Sequence, residues 1–307
     1  MTADETGQTP RKGLAIRGKI VVLVSLLVLL TGLTITYWIF SKFNDELMRN
    51  KLTEISAETR LYGNDFSKDM NELMRDVRFL KGTPPIQGII RAKSNQGIDP
   101  FDGSPIEIWH DRLATIFSEL LEAKPEYLQI RYIGLEDNGR EIVRVDREGP
   151  GNSIQVVSMA ELQQKGERDY FIEAMTLPQD QVYLSEIELN RERGEITRPY
   201  QPVIRAATPV YQENGDAFGI IIVNYDITHL ISAEFNNDSD THNTYISNAR
   251  GEYLKHPDPS RVFRFEFGES SNALDDFPEL AAILNAAHDE DSIHRSFEKD
   301  NRVISIR

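Results

Sequence analysis

The chain has 307 residues, enough for one to three domains, and 40% are hydrophobic, too many for a disordered polypeptide. Lys and Arg number 34 against 49 Asp and Glu, and the net charge of −15 excludes a broad basic surface for nucleic acid. Cysteine is absent, which excludes a disulfide scaffold, Cys-ligated zinc, iron–sulfur clusters and a thiol nucleophile.

Residues 20–40 read IVVLVSLLVLLTGLTITYWIF, without one charge. At 1.5 Å per residue the run spans about 31 Å, the thickness of a bilayer's hydrocarbon core. Tyr37 and Trp38 stand where an interfacial aromatic belt belongs, and Arg11, Lys12, Arg17 and Lys19 precede the run. The positive-inside rule leaves residues 1–19 as a cytoplasmic tail and exports the chain beyond Phe40. A cleaved signal peptide would have a shorter apolar core and a small-residue cleavage site, which Ser41-Lys42-Phe43 does not offer. The tail carries four basic and two acidic residues and the remainder 30 and 47, a split that suits a bacterial periplasm.

Ser41 to about Lys81 reads as one long helix. Leu52, Ile55, Tyr62, Phe66, Met70, Leu73, Val77 and Leu80 form its apolar stripe, and Gly82-Thr83-Pro84-Pro85 ends it. The stripe suits packing within its own domain or pairing with a second copy, which makes the helix a candidate stalk in a homodimer. Ile106–Ala123 is a second amphipathic helix. Beyond Pro125 the period changes to that of strands. Tyr127–Ile133 and Glu141–Val145 flank the turn Glu136-Asp137-Asn138-Gly139. Residues 158–176 carry two short helical patterns, Val182–Ile187 a third strand, and Val203–Tyr211 and Phe218–Tyr225 a second hairpin about Glu213–Asp216. A short helix over Ile227–Phe235 comes next. One five-stranded antiparallel sheet with helices on one face accommodates this order. A second unit opens at Thr244–Ser247 and Tyr253–Lys255, with a helix expected over 277–287 and a strand over Arg302–Ile306. It stops one hairpin short with no second membrane span, so the sequence reads as a fragment of something longer.

Several stretches carry a resemblance: Gln129–Ile133 with Gly139–Arg144, Asp169–Ala174, Val182–Asn190, Pro202–Val210, Gly219–Asp226 and Tyr253-Leu-Lys-His-Pro-Asp258. As a set they resemble the double-PAS (double Cache) extracytoplasmic sensor domain of bacterial membrane sensor histidine kinases, a module also found on diguanylate cyclases and chemoreceptors. The resemblance covers roughly residues 41–307. It implies an α+β fold: a transmembrane helix (20–40), the stalk and second helix (41–125), a membrane-distal PAS-like lobe (126–236) and a membrane-proximal, truncated one (237–307), each built on an antiparallel five-stranded sheet. It also implies a single pass through the bacterial inner membrane, a periplasmic body, and an absent second membrane helix and output domain. The output expected first is a histidine kinase; a diguanylate cyclase or a chemoreceptor is the alternative.

The pocket of such a lobe would be lined by one sheet face. Arg131, Arg144 and Arg205 lie on strands and suit a ligand carboxylate or phosphate, although an internal ion pair such as Glu141 with Arg131 or Arg144 explains them equally well. Tyr170, Tyr183 and Ser185 suit ring walls and hydroxyl donors, or ordinary core packing. Asp226 suits a ligand amine by analogy with amino-acid-binding members of the wider group, or caps the helix beginning at Ile227. The Arg-x-Trp-Tyr run of those members is absent, and Trp109 is followed by His110. The expected partner is therefore a small, anionic organic ligand or a periplasmic binding protein. No metal or cofactor is expected: the six histidines lack zinc spacing, and His288-Asp-Glu-Asp291 reads as a solvated turn. No phosphate-binding loop, nucleophile elbow, kinase or cyclase motif occurs, so this chain carries no catalytic signal. A membrane-tethered enzyme therefore lacks support. An adaptor recruiting a periplasmic protein through its acidic surface is the remaining rival.

Overall fold

The structure is a computed structural model that describes residues 16–148, 153–232, 243–278, 280–281, 295–299 and 302–306. Most of the expected helix over 277–287 and all of the acidic run 288–291 fall outside the described residues, as does most of the basic tail. The chain divides into two units, Met1–Tyr62 with Ile293–Arg307, and Gly63–Ser292.

In the first unit lies most of α1 (Ile16–Lys81), one uninterrupted helix that merges the expected membrane span and stalk. It is the one described helix long and apolar enough to cross a membrane. Its residues 19–40 are exposed on every face, the distribution of a segment whose solvent is lipid. The hydroxyls of Thr31, Thr34 and Thr36 donate to carbonyls three or four residues back, so these polar groups are satisfied within the helix. The unit also holds the antiparallel hairpin Arg295–Lys299 with Arg302–Ile306, so the strand expected at 302–306 pairs with a neighbour not anticipated.

The second unit begins with the last turns of α1, where Met70, Leu73, Val77 and Leu80 are buried. Gly82-Thr83 ends α1, but Pro84 and Pro85 also open a helix, α2 (Pro84–Ser94). Proline lacks only an N–H that the first helical turn leaves unbonded anyway, so it starts a helix as readily as it stops one. The expected second helix is α3 (Ile106–Ala123), with the anticipated bounds.

The sheet comprises β1 (Tyr127–Gly134), β2 (Glu141–Glu148), β3 (Ser153–Val156), then, after α4 (Asp169–Thr176), β4 (Tyr183–Leu184) and β5 (Glu188–Leu189). A small separate ladder, β6 (Arg191–Glu192) with β7 (Glu195–Ile196), precedes the last two sheet strands, β8 (Pro202–Tyr211) and β9 (Ala217–Asp226). The order is β3-β2-β1-β9-β8-β4, with β5 also on β8, all antiparallel. The five strands β2-β1-β9-β8-β4 are the expected sheet. Two further strands make it seven: β3 extends the edge, and the strand expected over 182–187 shortens to β4, with β5 following just beyond it. Only one of the two helical patterns expected over 158–176 forms a helix, α4; Gln164 in the preceding loop instead bridges Arg140.

Strand alternation sorts the two faces. Ile130, Tyr132, Ile204, Ala206, Ile221, Val223 and Tyr225 join α1, α2 and α3 in the main core. Ile133, Ala207, Ile220 and Ile222 point the other way and pack on Tyr170, Phe171 and Ala174 of α4. Helices therefore cover both faces, not one. The end of α1 is clamped by hydroxyls from the sheet: Tyr127 donates to Asp76 (2.6 Å) and Tyr225 to Asp69 (2.9 Å). A short helix, α5 (Thr228–Ser232), comes after β9.

Beyond it, β10 (Ile246–Ser247) and β11 (Tyr253–Lys255) pair antiparallel, and α6 (Ala273–Asp276) is a single turn. Leu254 and Phe263 from this region share a small buried cluster with Leu189 of β5. The Glu266 carboxylate accepts the Leu189 N–H (2.7 Å) and pairs with Arg191 (2.7 Å). This segment thus grips the stretch that leads into the β6–β7 ladder.

Candidate ligand-binding site

On the α4 side of the sheet the apolar lining gives way to a polar one. Register explains it: Asp146, Gln129, Asn224 and Arg205 are successive cross-strand partners on β2, β1, β9 and β8. One row further along, Arg131 pairs with Arg144. All six are buried. A cleft of about 320 Å³ of empty space, its open mouth included, lies over this row. Gln129, Arg131, Asn224 and Arg205 form its floor, Lys165, Arg168 and Tyr170 one wall, and Arg191, Glu192 and Gly194 of the β6–β7 ladder the other. Five of the ten lining residues are cationic and one is acidic.

Tyr170 organises the cations. Its hydroxyl accepts from Arg131 Nη1 (3.1 Å), and the guanidinium carbons of Arg131, Arg205 and Arg168 lie 5.3, 5.7 and 5.9 Å from its ring centre. The ring's negative face offsets part of their mutual repulsion. Arg131 Nη2 donates to Asn224 Oδ1 (3.0 Å). Arg131 is only 3% exposed, yet its Nε has no hydrogen-bond partner, and its nearest carboxylate, Glu141, is 3.6 Å away. Glu141 Oε1 is likewise buried without a hydrogen bond, 3.6 Å from Arg131 and 3.7 Å from Arg144.

Lys165 reaches the cleft because a turn holds its backbone. Asp137, Asn138 and Gly139 all have positive φ (51°, 54° and 71°), a wider left-handed turn than the two-residue one expected. It receives Lys165 N–H at Gly139 O (2.8 Å) and Gly166 N–H at Asn138 O (2.9 Å). A Cβ on Gly139 would lie 2.3 Å from Gly166 N, so the close approach requires glycine. Lys165 Nζ donates to Gln163 Oε1 (2.8 Å) and, among the described residues, pairs with no carboxylate. Burial, and then Arg131, push its ammonium down to about 8. The same two causes push the Arg205 guanidinium down to about 10, although Arg205 hydrogen-bonds Glu188. Burial works against the charged form of Glu192, but Arg144, Arg131 and Lys165 outweigh it and hold its carboxyl below the usual range.

Of the residues singled out in the sequence, Arg131, Tyr170 and Arg205 come together in this cleft. Arg144 stands behind it, paired with Asp146 (2.7 Å) and Glu192 (3.0 Å). Ser185 is tied into the sheet edge: its N–H donates to Arg205 O, and its Oγ accepts the Arg205 N–H, each at 2.9 Å. Tyr183 packs beside the α4 cluster, and Asp226 accepts the Thr228 N–H (2.7 Å) at the start of α5. Neither lines the cleft. Gln129, Lys165, Arg168, Arg191, Glu192 and Asn224 were not singled out. Gln129 carried a signal, standing two residues from Arg131 and so on the same strand face, as did Asn224, two residues from Asp226.

A family model described as the bacterial histidine kinase sensor domain matches residues 93–280, more than half of the chain. The chain belongs to that family. The sensor domain also shares its fold with solved structures at low identity. The extracellular domain of vpHK1S-Z8, described as a histidine kinase, is 21% identical with a TM-score of 0.64, covering 84% of this chain and 85% of that one. A domain of a sensory box/GGDEF family protein from Vibrio parahaemolyticus is 22% identical (TM-score 0.61, 84% and 88% covered). The periplasmic sensory domain of the Campylobacter jejuni chemoreceptor Tlp1 is 11% identical (TM-score 0.57, 79% and 82% covered). No curated protein sequence matches the sensor domain significantly.

Proposed function

We propose that the chain is the periplasmic ligand-sensing part of a bacterial inner-membrane histidine kinase, and that its cleft takes a small organic anion. The observation that carries this reading is Arg131. It is a buried guanidinium with a free Nε, crowded by Arg205, Arg168 and Lys165; the buried Glu141 carboxylate, 3.6 Å away, is shared with Arg144, and one acidic side chain lines the cleft. Buried like charges are costly unless an anion neutralises them. A carboxylate placed there would accept charge-assisted hydrogen bonds from Arg131 and Lys165 and from the Gln129 and Asn224 amides, with Tyr170 as a ring wall.

Signalling requires that the ligand prefer one of two packings. Asn224 and Tyr225 are neighbours on β9 facing opposite sides: one holds Arg131 in the cleft, the other holds Asp69 of α1. A ligand that draws in Arg131 and Asn224 therefore acts on the strand that grips α1. The reading includes a homodimer paired along α1, where Phe43, Leu47 and Leu61 are exposed at spacings of four and fourteen residues. Thermal denaturation of the purified chain against organic acids, inorganic phosphate, amino acids and amines tests the ligand class. Stabilisation by acids supports the proposal; stabilisation by amines alone contradicts it.

A further inference from the structure

The one acidic residue in the cleft is not where a purely structural ion pair would need it. Glu192 Oε1 accepts from Arg144 Nη2 (3.0 Å) and Gln129 Nε2 (3.3 Å). Arg144 is already neutralised from behind by Asp146, which takes Nε at 2.8 Å and Nη2 at 2.7 Å. Gln129 likewise has Asp146 as a partner (2.8 Å). Both donors of Glu192 are therefore satisfied without it. Its carboxylate is 32% exposed and forms part of the cleft wall, while Arg144 and Asp146 are each 4% exposed.

Its mounting, shared with Arg191 and Gly194, also differs from that of the rest of the lining. Glu192 sits on β6, and the β6–β7 ladder is a two-stranded sheet of its own, outside the seven-stranded one. Arg193 and Gly194 turn the ladder at φ of 50° and 90°, the two-residue left-handed turn of a tight hairpin. The root is held by Asn190 N–H to Gln201 O (2.8 Å) and Thr197 N–H to Asn190 O (2.9 Å). The neighbouring Arg191 pairs with Glu266 (2.7 Å), beyond the β10–β11 pair in sequence.

We propose that Glu192 is a tethered competitor: its carboxylate occupies the anion position of the empty cleft, and an incoming anion displaces it. This rests on the reading of the cleft as an anion site and specifies how that site is regulated. An anion bound to Arg131 and Gln129 would compete with Glu192 for the Gln129 amide, and two carboxylates meeting at one donor repel. The hairpin then leaves Arg144, and because Arg191 precedes Glu192 directly, that movement bears on the Arg191–Glu266 pair. Cleft occupancy is in this way linked to the segment beyond β11. Glu192 also sets a threshold on the ligand, which must outcompete a carboxylate already in place.

The test measures the affinities of the full chain in detergent for succinate, citrate and inorganic phosphate, for the wild type and for Glu192→Gln. The amide keeps the size of the side chain and removes its charge. If the closed arrangement holds about 90% of the molecules, removing the competitor tightens the apparent affinity about tenfold, and more if it holds a larger share. Hydrogen exchange gives a second reading on the wild type alone: saturating succinate should speed exchange of the Asn190 and Thr197 amides. Tighter binding by Glu192→Gln together with faster exchange supports the competitor. Wild-type binding that the substitution leaves unchanged or weakens overturns it and leaves the anion site standing. If none of the three probes binds either form, both the competitor and the anion site fall.

Discussion

Lys165 is held in the folded protein at a cost, and the cost is measurable. Its ammonium titrates near 8 against an ordinary 10.5, because it is buried and faces Arg131, with Arg144 adding repulsion and Glu141 and Glu192 opposing it. A displacement of that size corresponds to about 3 kcal/mol, and partial solvent screening reduces it to about 2 kcal/mol. Replacing Lys165 with Met removes this burden and also the hydrogen bond to Gln163, worth about 1 kcal/mol. The net expectation at pH 7 is a gain of about 1 kcal/mol, a rise in melting temperature of about 2–4 °C for a unit of this size. The pH dependence has a fixed sign. Because the folded pKa lies below the unfolded one, the unfolded chain binds more protons between about 8 and 10.5. The penalty is full below pH 8 and fades as pH rises through that window, so the variant's advantage should shrink from pH 7 to pH 10. The fluorescence of Trp109, buried in the core, reports the melt. Anion affinity should move the opposite way and weaken in the variant. A Lys165→Met protein that melts at or below the wild type at pH 7, or whose advantage is undiminished at pH 10, would refute the reasoning.

Removing the charge at Arg131 while keeping the core neutral, as Arg131→Met with Glu141→Gln, should weaken anion binding by about 1.5–3 kcal/mol in calorimetric titration and leave the melt cooperative. Asp146→Ala, by contrast, strips the buried Arg144 of its main partner and should cost about 3–5 kcal/mol of stability in denaturant unfolding. Gly139→Ala meets both a positive φ and a backbone clash, and should lower stability by about 1–3 kcal/mol and displace Lys165. Tyr225→Phe removes the hydroxyl that Asp69 accepts and should cost about 1.5–3 kcal/mol, read as a lower melting temperature.

The sheet was legible because its strands are long and apolar. Val203–Tyr211 and Phe218–Tyr225 are bounded by turn residues and appear as β8 and β9 with one residue added at each end, save the shared end at Tyr211. Ile106–Ala123 declared itself by its helical stripe. The elements that escaped notice lacked a local signal. The β3 strand is a mostly exposed edge paired only with β2, and its Ser-Ile-Gln-Val alternates over just four residues, too short a run to stand out. Pro84-Pro85 marks a stop and a start with the same chemistry. In the site, Arg131 and Arg205 stood out because arginine is rarely buried in a strand without purpose. Lys165 and Glu192 reach the cleft from a loop and a separate hairpin, brought there by the Gly139 turn and by Glu266, and no spacing in the sequence encodes those approaches.

The claim that the cleft is an anion site rests most directly on one experiment. It is calorimetric titration of the full chain in detergent with the acid that raises its melting temperature most, beside the Arg131→Met, Glu141→Gln double variant. At about 100 times its dissociation constant such a ligand adds about 2.7 kcal/mol of stability, so the thermal and calorimetric readings check one another. The account predicts saturable binding by the wild type and its loss in the variant. Equal binding by both proteins would place the ligand elsewhere and contradict it.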